Sequence, residues 1–338
     1  MQKSALRSPE ATTRQEAALR AFTISSFGDT PRLTDLPLPE PGAGEVRLRI
    51  AACGLNFADL LMAKGDYQER PPLPVTLGME VAGTVEKLGP GVNGPAPGTR
   101  VAIFAGTGGL AEAGCFPADR CIPIPATMPE TVAAGFQVAY GTSHLALGHR
   151  ARLQPGETLV VLGAAGGVGL TAVEIGRLMG ARVIAVARGA RRLEVAQAAG
   201  ADHLIDSDST DLREAIRALG GADVVYDPVG DPAFTAAMRA TNPEGRLLTI
   251  GFAGGEVPRI AANHLLVKNL TVIGLYWGGY LKFRPEVLTG SLATLFGWYA
   301  DGRLKPHVSH VLPLDRADEA LELLRSRTAT GKVVVTMP

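Results

Sequence analysis

Cysteine is scarce in this chain, aromatic residues are few, and neither sign of charge prevails. Cys53, Cys115 and Cys121 are the three cysteines among 338 residues. An odd, scattered set is not a disulfide framework, and it fits a reducing compartment. Aromatic residues make up 5% of the chain, which leaves little surface for stacking nucleobases. Lys plus Arg and Asp plus Glu each number 33, so the formal net charge is zero. A nucleic-acid binder shows a basic excess or a basic stripe, and none is present. No apolar run is long enough to cross a bilayer. The opening segment MQKSALRSPEATTRQEAALR lacks the apolar core of a signal peptide. Residues 1–18 are therefore expected to form a flexible, polar extension, and the protein is expected in the cytoplasm.

Length and apolar content point to two domains. A chain of 338 residues exceeds one typical core, and a hydrophobic fraction of 46% is that of a globular protein. From Leu19 to Ala126, short β-branched runs at 19–27, 45–53, 79–88 and 100–106 are separated by joints such as PLPEPGAGE and GPGVNGPAPGT. This punctuation predicts a compact, mainly antiparallel β domain. The rhythm changes near Met128. A helical stretch at 130–149 leads into apolar strands at 158–163, 182–187, 203–206, 223–227, 246–251 and 270–276, with helical patterns between them. That alternation predicts an α/β, doubly wound parallel sheet of the Rossmann type. The last part, from Arg284, holds two helices and the closing strand KVVV. It is expected to return to the first domain, which makes that domain discontinuous: 19–128 and 284–338, enclosing 129–283.

The most informative motif is LVVLGAAGGVGLTAVEIGRLMG, a strand, a glycine turn and a helix. A dinucleotide's pyrophosphate needs backbone without Cβ atoms in its way, and it gains from the unpaired N–H groups of a helix N-terminus. Gly166, Gly167 and Gly169 provide that approach, with Ala165 and Val168 between them in the turn. After the next strand, where NAD-binding proteins carry an acid for the ribose, stand Ala187 and Arg188, followed by Arg191 and Arg192. Guanidinium groups match a 2′-phosphate, so the expected cofactor is NADPH. The alternative is that these arginines form only a solvated helix face.

In the segments AACGLNFADLLMAKGDY, LGMEVAGTVEKLGPGV, VAYGTSHLAL, LVVLGAAGGVGL and RTATGKVVV, the chain resembles the medium-chain dehydrogenase/reductase superfamily, specifically its zinc-free quinone oxidoreductase branch. The resemblance covers nearly the whole chain after the first twenty residues, and it implies a GroES-like catalytic domain around the Rossmann domain. The family's zinc enzymes use a Cys and a Gly-His-Glu motif. Here Asn56 stands at the first position, the motif is Gly78-Met79-Glu80, and the four-cysteine lobe is missing. Amide and thioether groups are poor zinc ligands, so no metal is expected. The resemblance further implies that Asn56 and Tyr67 line the cleft beside the nicotinamide, that Arg327 reaches the cofactor phosphate, and that Gly251-Phe252 passes the nicotinamide. Asn56 reads equally as a helix cap, and Tyr67 equally as a packing residue. Val138 stands where relatives often have Thr, and Ser207 where some have Tyr.

The implied activity is NADPH-dependent reduction of a small quinone or similarly activated carbonyl compound. Reduction of a conjugated double bond in an enone, enal or enoyl thioester is the alternative. A third class, an NADPH-binding protein without turnover, is disfavoured by the neutral charge wherever it would involve nucleic acid. The apolar last strand, LTVIGLY, would form a sheet edge, and such edges invite pairing with another chain. A homodimer is therefore expected.

Overall fold

The computed structural model describes residues 18–338; apart from Ala18, the expected extension lies outside the described residues. The chain opens with β1 (Ala18–Ile24), β2 (Arg32–Pro37) and β3 (Glu45–Leu55), followed by α1 (Phe57–Lys64). Short β4 (Val75–Thr76) precedes β5 (Glu80–Leu88), β6 (Arg100–Phe104), β7 (Ala113–Pro117) and β8 (Ile122–Pro123). In β3 the alternation buries Val46, Leu48 and Ile50, the period of a strand with one face on a core. β2 is almost entirely exposed, so it carries no apolar pattern by which the sequence could have announced it.

Next come α2 (Glu130–Ala134) and α3 (Gln137–His144), then a wide helical turn at Leu145–Arg150. The single helix expected over 130–149 is thus broken at Gly135. The break has a neighbour: a Cβ at Gly135 would lie 3.1–3.4 Å from the methylenes of Lys332.

The nucleotide-binding half follows as β9 (Thr158–Leu162), α4 (Gly167–Leu178), β10 (Arg182–Ala187), α5 (Ala190–Ala198), β11 (His203–Asp206), α6 (Leu212–Ala218), β12 (Ala222–Asp227), α7 (Ala233–Ala240), β13 (Thr241–Thr249), α8 (Ala262–Lys268) and β14 (Thr271–Gly274). Its sheet has the order β11-β10-β9-β12-β13-β14, and every pairing is parallel. All of β9 is buried, as a strand covered on both faces must be. Strand order reverses at β9, the point where doubly wound sheets open a crevice for ligands. The glycine turn leaves β9 at this point.

The chain then runs through α9 (Tyr280–Phe283), α10 (Pro285–Ala300), β15 (Val308–Pro313), α11 (Ala317–Arg325) and β16 (Lys332–Thr336). β16 lies between β15 and β3 in the large sheet β15-β16-β3-β5-β6-β8, with β7 also on β3. The last strands therefore complete the first domain. α10 packs on α3 and puts Leu288, Leu292, Leu295 and Phe296 into a cluster with Leu159 and Val161. The same cluster takes in Ala52, Ala82, Ala102 and Val334, so one continuous core runs beneath both domains. Among the described residues, no helix is long and apolar enough to cross a membrane.

Candidate active site

The turn after β9 is tied down from several sides. Gly163 takes a left-handed conformation, φ +60°, and the N–H of Ala164 donates to Val186 O at 3.0 Å. Gly169 is needed for packing, because a Cβ there would lie 2.2 Å from Gly163 O. Gly166 and Gly167 differ: the nearest atoms to an added Cβ are 3.4 Å away. An alanine would fit at either position in ordinary contact, at Gly167 against Lys332 Cδ and Gly331 O. α4 has no side-chain N-cap, so its first N–H groups are available to an anion. Ala165 faces the other domain: its carbonyl accepts from Gly331 N at 2.8 Å. Val168 uses its carbonyl to accept from Ser143 Oγ at 2.9 Å.

Three of the four arginines named from the sequence meet: Arg188, Arg192 and Arg327. Arg192 Nη1 donates to Arg188 O at 3.2 Å, and its Nη2 donates to Arg327 O at 2.6 Å. Arg188 and Arg327 are exposed, and Arg192 is half-buried. Arg327 is held at φ +55°. The nearby acid, Asp206, is occupied by backbone: its Oδ1 accepts from Gly189 N at 3.0 Å and Asp208 N at 3.1 Å. The Gly189 and Asp208 N–H groups lower its pKa. What this corner offers a ligand is therefore guanidinium. Gly251 and Phe252 follow β13, and the Phe252 ring is 38% exposed. Backbone ties this loop to the end of β12, Gly251 N donating to Asp227 O at 3.3 Å and Ala253 N to Pro228 O at 3.0 Å; the Asp227 carboxylate, whose burial raises its pKa to about 6, accepts from Val229 N and Gly230 N within its own loop at 2.8 and 2.9 Å.

Beneath the cleft lies a buried charge network. Lys332 Nζ donates to Glu80 Oε1 at 2.7 Å, Asn56 Oδ1 at 2.8 Å and Leu55 O at 2.8 Å. All three of its protons thus have acceptors. Glu80, 1% exposed, also accepts from Asn56 Nδ2 at 3.0 Å and Val138 N at 3.0 Å. Asp59 is fully buried and accepts from Asn56 N and Gly78 N at 2.8 and 3.2 Å. Burial pushes its pKa up to about 7.

This geometry gives Asn56 definite partners. Its amide N–H groups go to Glu80 and to Gly54 O, at 3.0 and 3.3 Å, and its oxygen holds Lys332. It stands half-exposed at the head of α1, with its side chain anchoring the lysine. The position suits zinc poorly. Asn56 and Glu80 hold an ammonium group that already supplies the positive charge, and a second cation beside it would be repelled. Among the described residues, no group of three or more His, Cys, Asp or Glu side chains is placed to hold a metal.

Tyr67 lies on the loop after α1. Its ring meets that of Tyr276 edge-on, with centroids 6.4 Å apart. Burial, with smaller contributions from Tyr276 and Glu69, raises its pKa. Tyr276, Trp277 and Lys332 were not among the residues singled out from sequence. For Lys332 there was a signal: a lysine opening the wholly apolar strand KVVV cannot reach solvent from a central position, and a buried ammonium needs a buried acid.

A GroES-like β domain completed by its last strands, wrapped around a Rossmann sheet with a glycine turn at the switch point, defines a medium-chain dehydrogenase/reductase. Comparison with known proteins agrees. The model for the alcohol dehydrogenase GroES-like domain matches residues 42–126, and that for zinc-binding dehydrogenase matches residues 167–292. Quinone oxidoreductase-like protein 2 homolog of Nematostella vectensis is 37% identical over 300 residues, covering 87% of this chain and 82% of that relative. The synaptic vesicle membrane protein VAT-1 homolog of Homo sapiens is 33% identical, covering 94% of this chain and 86% of its own length. The solved structure of the Thermus thermophilus quinone oxidoreductase, described also as a complex with NADPH, superposes with a TM-score of 0.83 at 35% identity, covering 94% and 99% of the two chains. The chain belongs to the quinone oxidoreductase branch of this superfamily.

Two outcomes follow for substitutions in this region. Gly167→Ala is expected to leave the melting temperature nearly unchanged while weakening dinucleotide binding; Gly169→Ala, driven into Gly163, is expected to destabilise the fold outright. Calorimetry with and without dinucleotide separates the two. Lys332→Met strands a buried carboxylate and is expected to cost about 3–5 kcal/mol, measured by urea unfolding. Adding Glu80→Gln to that variant should recover part of the loss.

Proposed function

We propose that this chain is an NADPH-dependent oxidoreductase that reduces quinones or similarly activated carbonyl acceptors without zinc. The observation that carries the reading is Arg192 bonded to the Arg188 and Arg327 carbonyls, at the strand end where Ala187 offers no carboxylate, together with the uncapped N-terminus of α4 at Gly166 and Gly167. The 2′-phosphate of NADPH would sit among these guanidinium groups, and its pyrophosphate against the α4 N-terminus. Bound NADPH supplies the hydride. The chain supplies placement, which alone can lower a barrier by as much as ~7–11 kcal/mol. Gly251 and Phe252 flank the nicotinamide. Tyr67 offers a phenol to the acceptor oxygen as negative charge grows on it. Lys332 provides a fixed, buried positive charge in the place where related enzymes use a metal.

An electron-poor quinone needs little acid assistance, whereas an enone or enoyl acceptor needs a proton donor, and the half-buried Tyr67 favours keeping double-bond reduction as the second reading. Binding of NADPH without turnover is the third, in view of the VAT-1 similarity. We assign the protein to the cytoplasm on its three unpaired thiols, which fit a reducing environment. Its exposed edge strand β14 and the neighbouring apolar side chains Val257, Leu266 and Val267, exposed by 61%, 78% and 74%, fit a homodimer joined edge to edge about a two-fold axis.

The decisive assay is steady-state NADPH oxidation with a quinone, an enone and no acceptor, with chelator present. Turnover with either acceptor, undiminished by chelator, is expected; none with any acceptor leaves only the binding role. NADPH should be preferred over NADH, and Arg188→Ala with Arg192→Ala should erode the preference through KM. Equal efficiency of the two cofactors in the unmodified protein overturns the assignment. Tyr67→Phe should slow quinone reduction by about tenfold or less, ~1.4 kcal/mol, but enone reduction by ~100-fold or more. Light scattering should report a dimer at micromolar concentration; a monomer refutes the assembly.

A further inference from the structure

We propose that the cavity along one face of α4 is a binding site for a small amphipathic carboxylate, separate from the dinucleotide cleft. Its walls are apolar, and two cations at its edge meet no acid.

The cavity holds about 360 Å³. That lies within the range of small-molecule pockets and equals about twelve water-sized volumes. Gly167, Leu170, Glu174 and Leu178 line it from α4; spaced by three or four residues, they share one helix face. The run from Gly167 to Leu178 is roughly 16 Å long at the helical rise. The other boundaries are α2, the C-terminal end of α5 at Ala198 to Gly200, and the stretch from Arg303 to Val308 between α10 and β15. The arginine corner described above lies at the opposite end of α5, and Arg188, Arg192, Gly251 and Phe252 take no part in the lining. Only at Gly167, Gly331 and Lys332 does the cavity come up to the glycine turn, where Gly331 N donates to Ala165 O.

Val132, Leu170, Leu178 and Val195 form apolar walls, and all but Leu170 are only partly buried. Covering them removes apolar surface from water, which favours an occupant with an apolar body. The polar groups sort by whether their charge is already matched. Glu174 accepts from Tyr140 OH at 2.5 Å on Oε2 and from Lys305 N at 2.6 Å on Oε1. Arg177 is paired with Asp202 at 2.8 Å. His307 Nε2 lies 3.1 Å from Thr330 Oγ1, and burial holds its pKa below the usual value, so it adds no charge at neutral pH. Arg303 and Lys305 also line the cavity, and among the described residues no carboxylate pairs with either. The Arg303 guanidinium is held over the Trp298 ring, 4.8 Å from its centroid. A guanidinium stacked in this way is fixed in place, and its N–H fork matches a carboxylate. Two unmatched cations beside an apolar chamber therefore select an anionic head on an apolar body, and an aliphatic chain of about ten carbons fits the volume.

The test is titration calorimetry of the full chain with decanoate, with and without NADPH. One decanoate per chain is expected in both cases. 1-Decanol, the same body without the charge, should bind about tenfold more weakly or worse. Decanoate should lose as much on the Arg303→Ala, Lys305→Ala double variant, in which the Lys305 backbone N–H still serves Glu174. Ala198→Trp places a large ring on an exposed position of α5 that borders the cavity, and it should remove binding by occupying the space. Unchanged melting temperatures show that the variants are folded. No uptake by the unmodified protein, decanol bound as tightly as decanoate, or decanoate binding that survives either variant overturns the site.

Discussion

The ammonium of Lys332 is the fixed point of this structure. An unpaired charge so deeply buried would cost several kcal/mol, and the protein meets that demand with three acceptors from three different places: the end of β3, the head of α1 and the start of β5. Satisfying it sets the register of β16 against β3 and gives the helix break at Gly135 its neighbour. It also brings Gly331 against the glycine turn. The contact between β domain and nucleotide-binding sheet is thereby specified by electrostatics as well as by the shared apolar core.

Two kinds of information were legible in the sequence to different degrees. The parallel sheet could be read strand by strand, because fully buried strands such as TLVVL are uninterrupted apolar runs and glycine marks the turn between β9 and α4. The convergence of Arg188 and Arg192 was legible for a similar reason, since both lie within one turn of a strand end. Arg327 came from resemblance alone. Residues whose roles depend on partners far along the chain were not legible. Asn56 offered an amide in a loop, and nothing local revealed that its three polar valences would be consumed by Glu80, Gly54 and Lys332. Tyr276 looked like part of an apolar edge strand, and only the opposition of the two domains puts it beside Tyr67. The packing of α10 on α3 was not legible for the same reason, since it depends on Phe136 meeting Phe296 far along the chain.

The turn itself shows how one glycine-rich segment can serve two demands. Gly169 admits no Cβ beside Gly163 O, whereas Gly166 and Gly167 would tolerate one in ordinary contact, although all three are the same residue type within four positions. Packing alone therefore explains Gly169 and does not explain the other two.

The pairing of Glu80 with Lys332 also bears on how the molecule is made. The two residues are 252 positions apart, and at roughly 5–20 residues per second the carboxylate leaves the ribosome tens of seconds before its partner. During that interval the first β domain lacks its central strand β16, and Glu80 has no cation to face, so this half cannot settle into its native core. The nucleotide-binding sheet, contiguous in the chain, is under no such delay. Assembly should therefore run opposite to the order of synthesis, with the middle of the chain serving as the template on which the earlier segment finally closes.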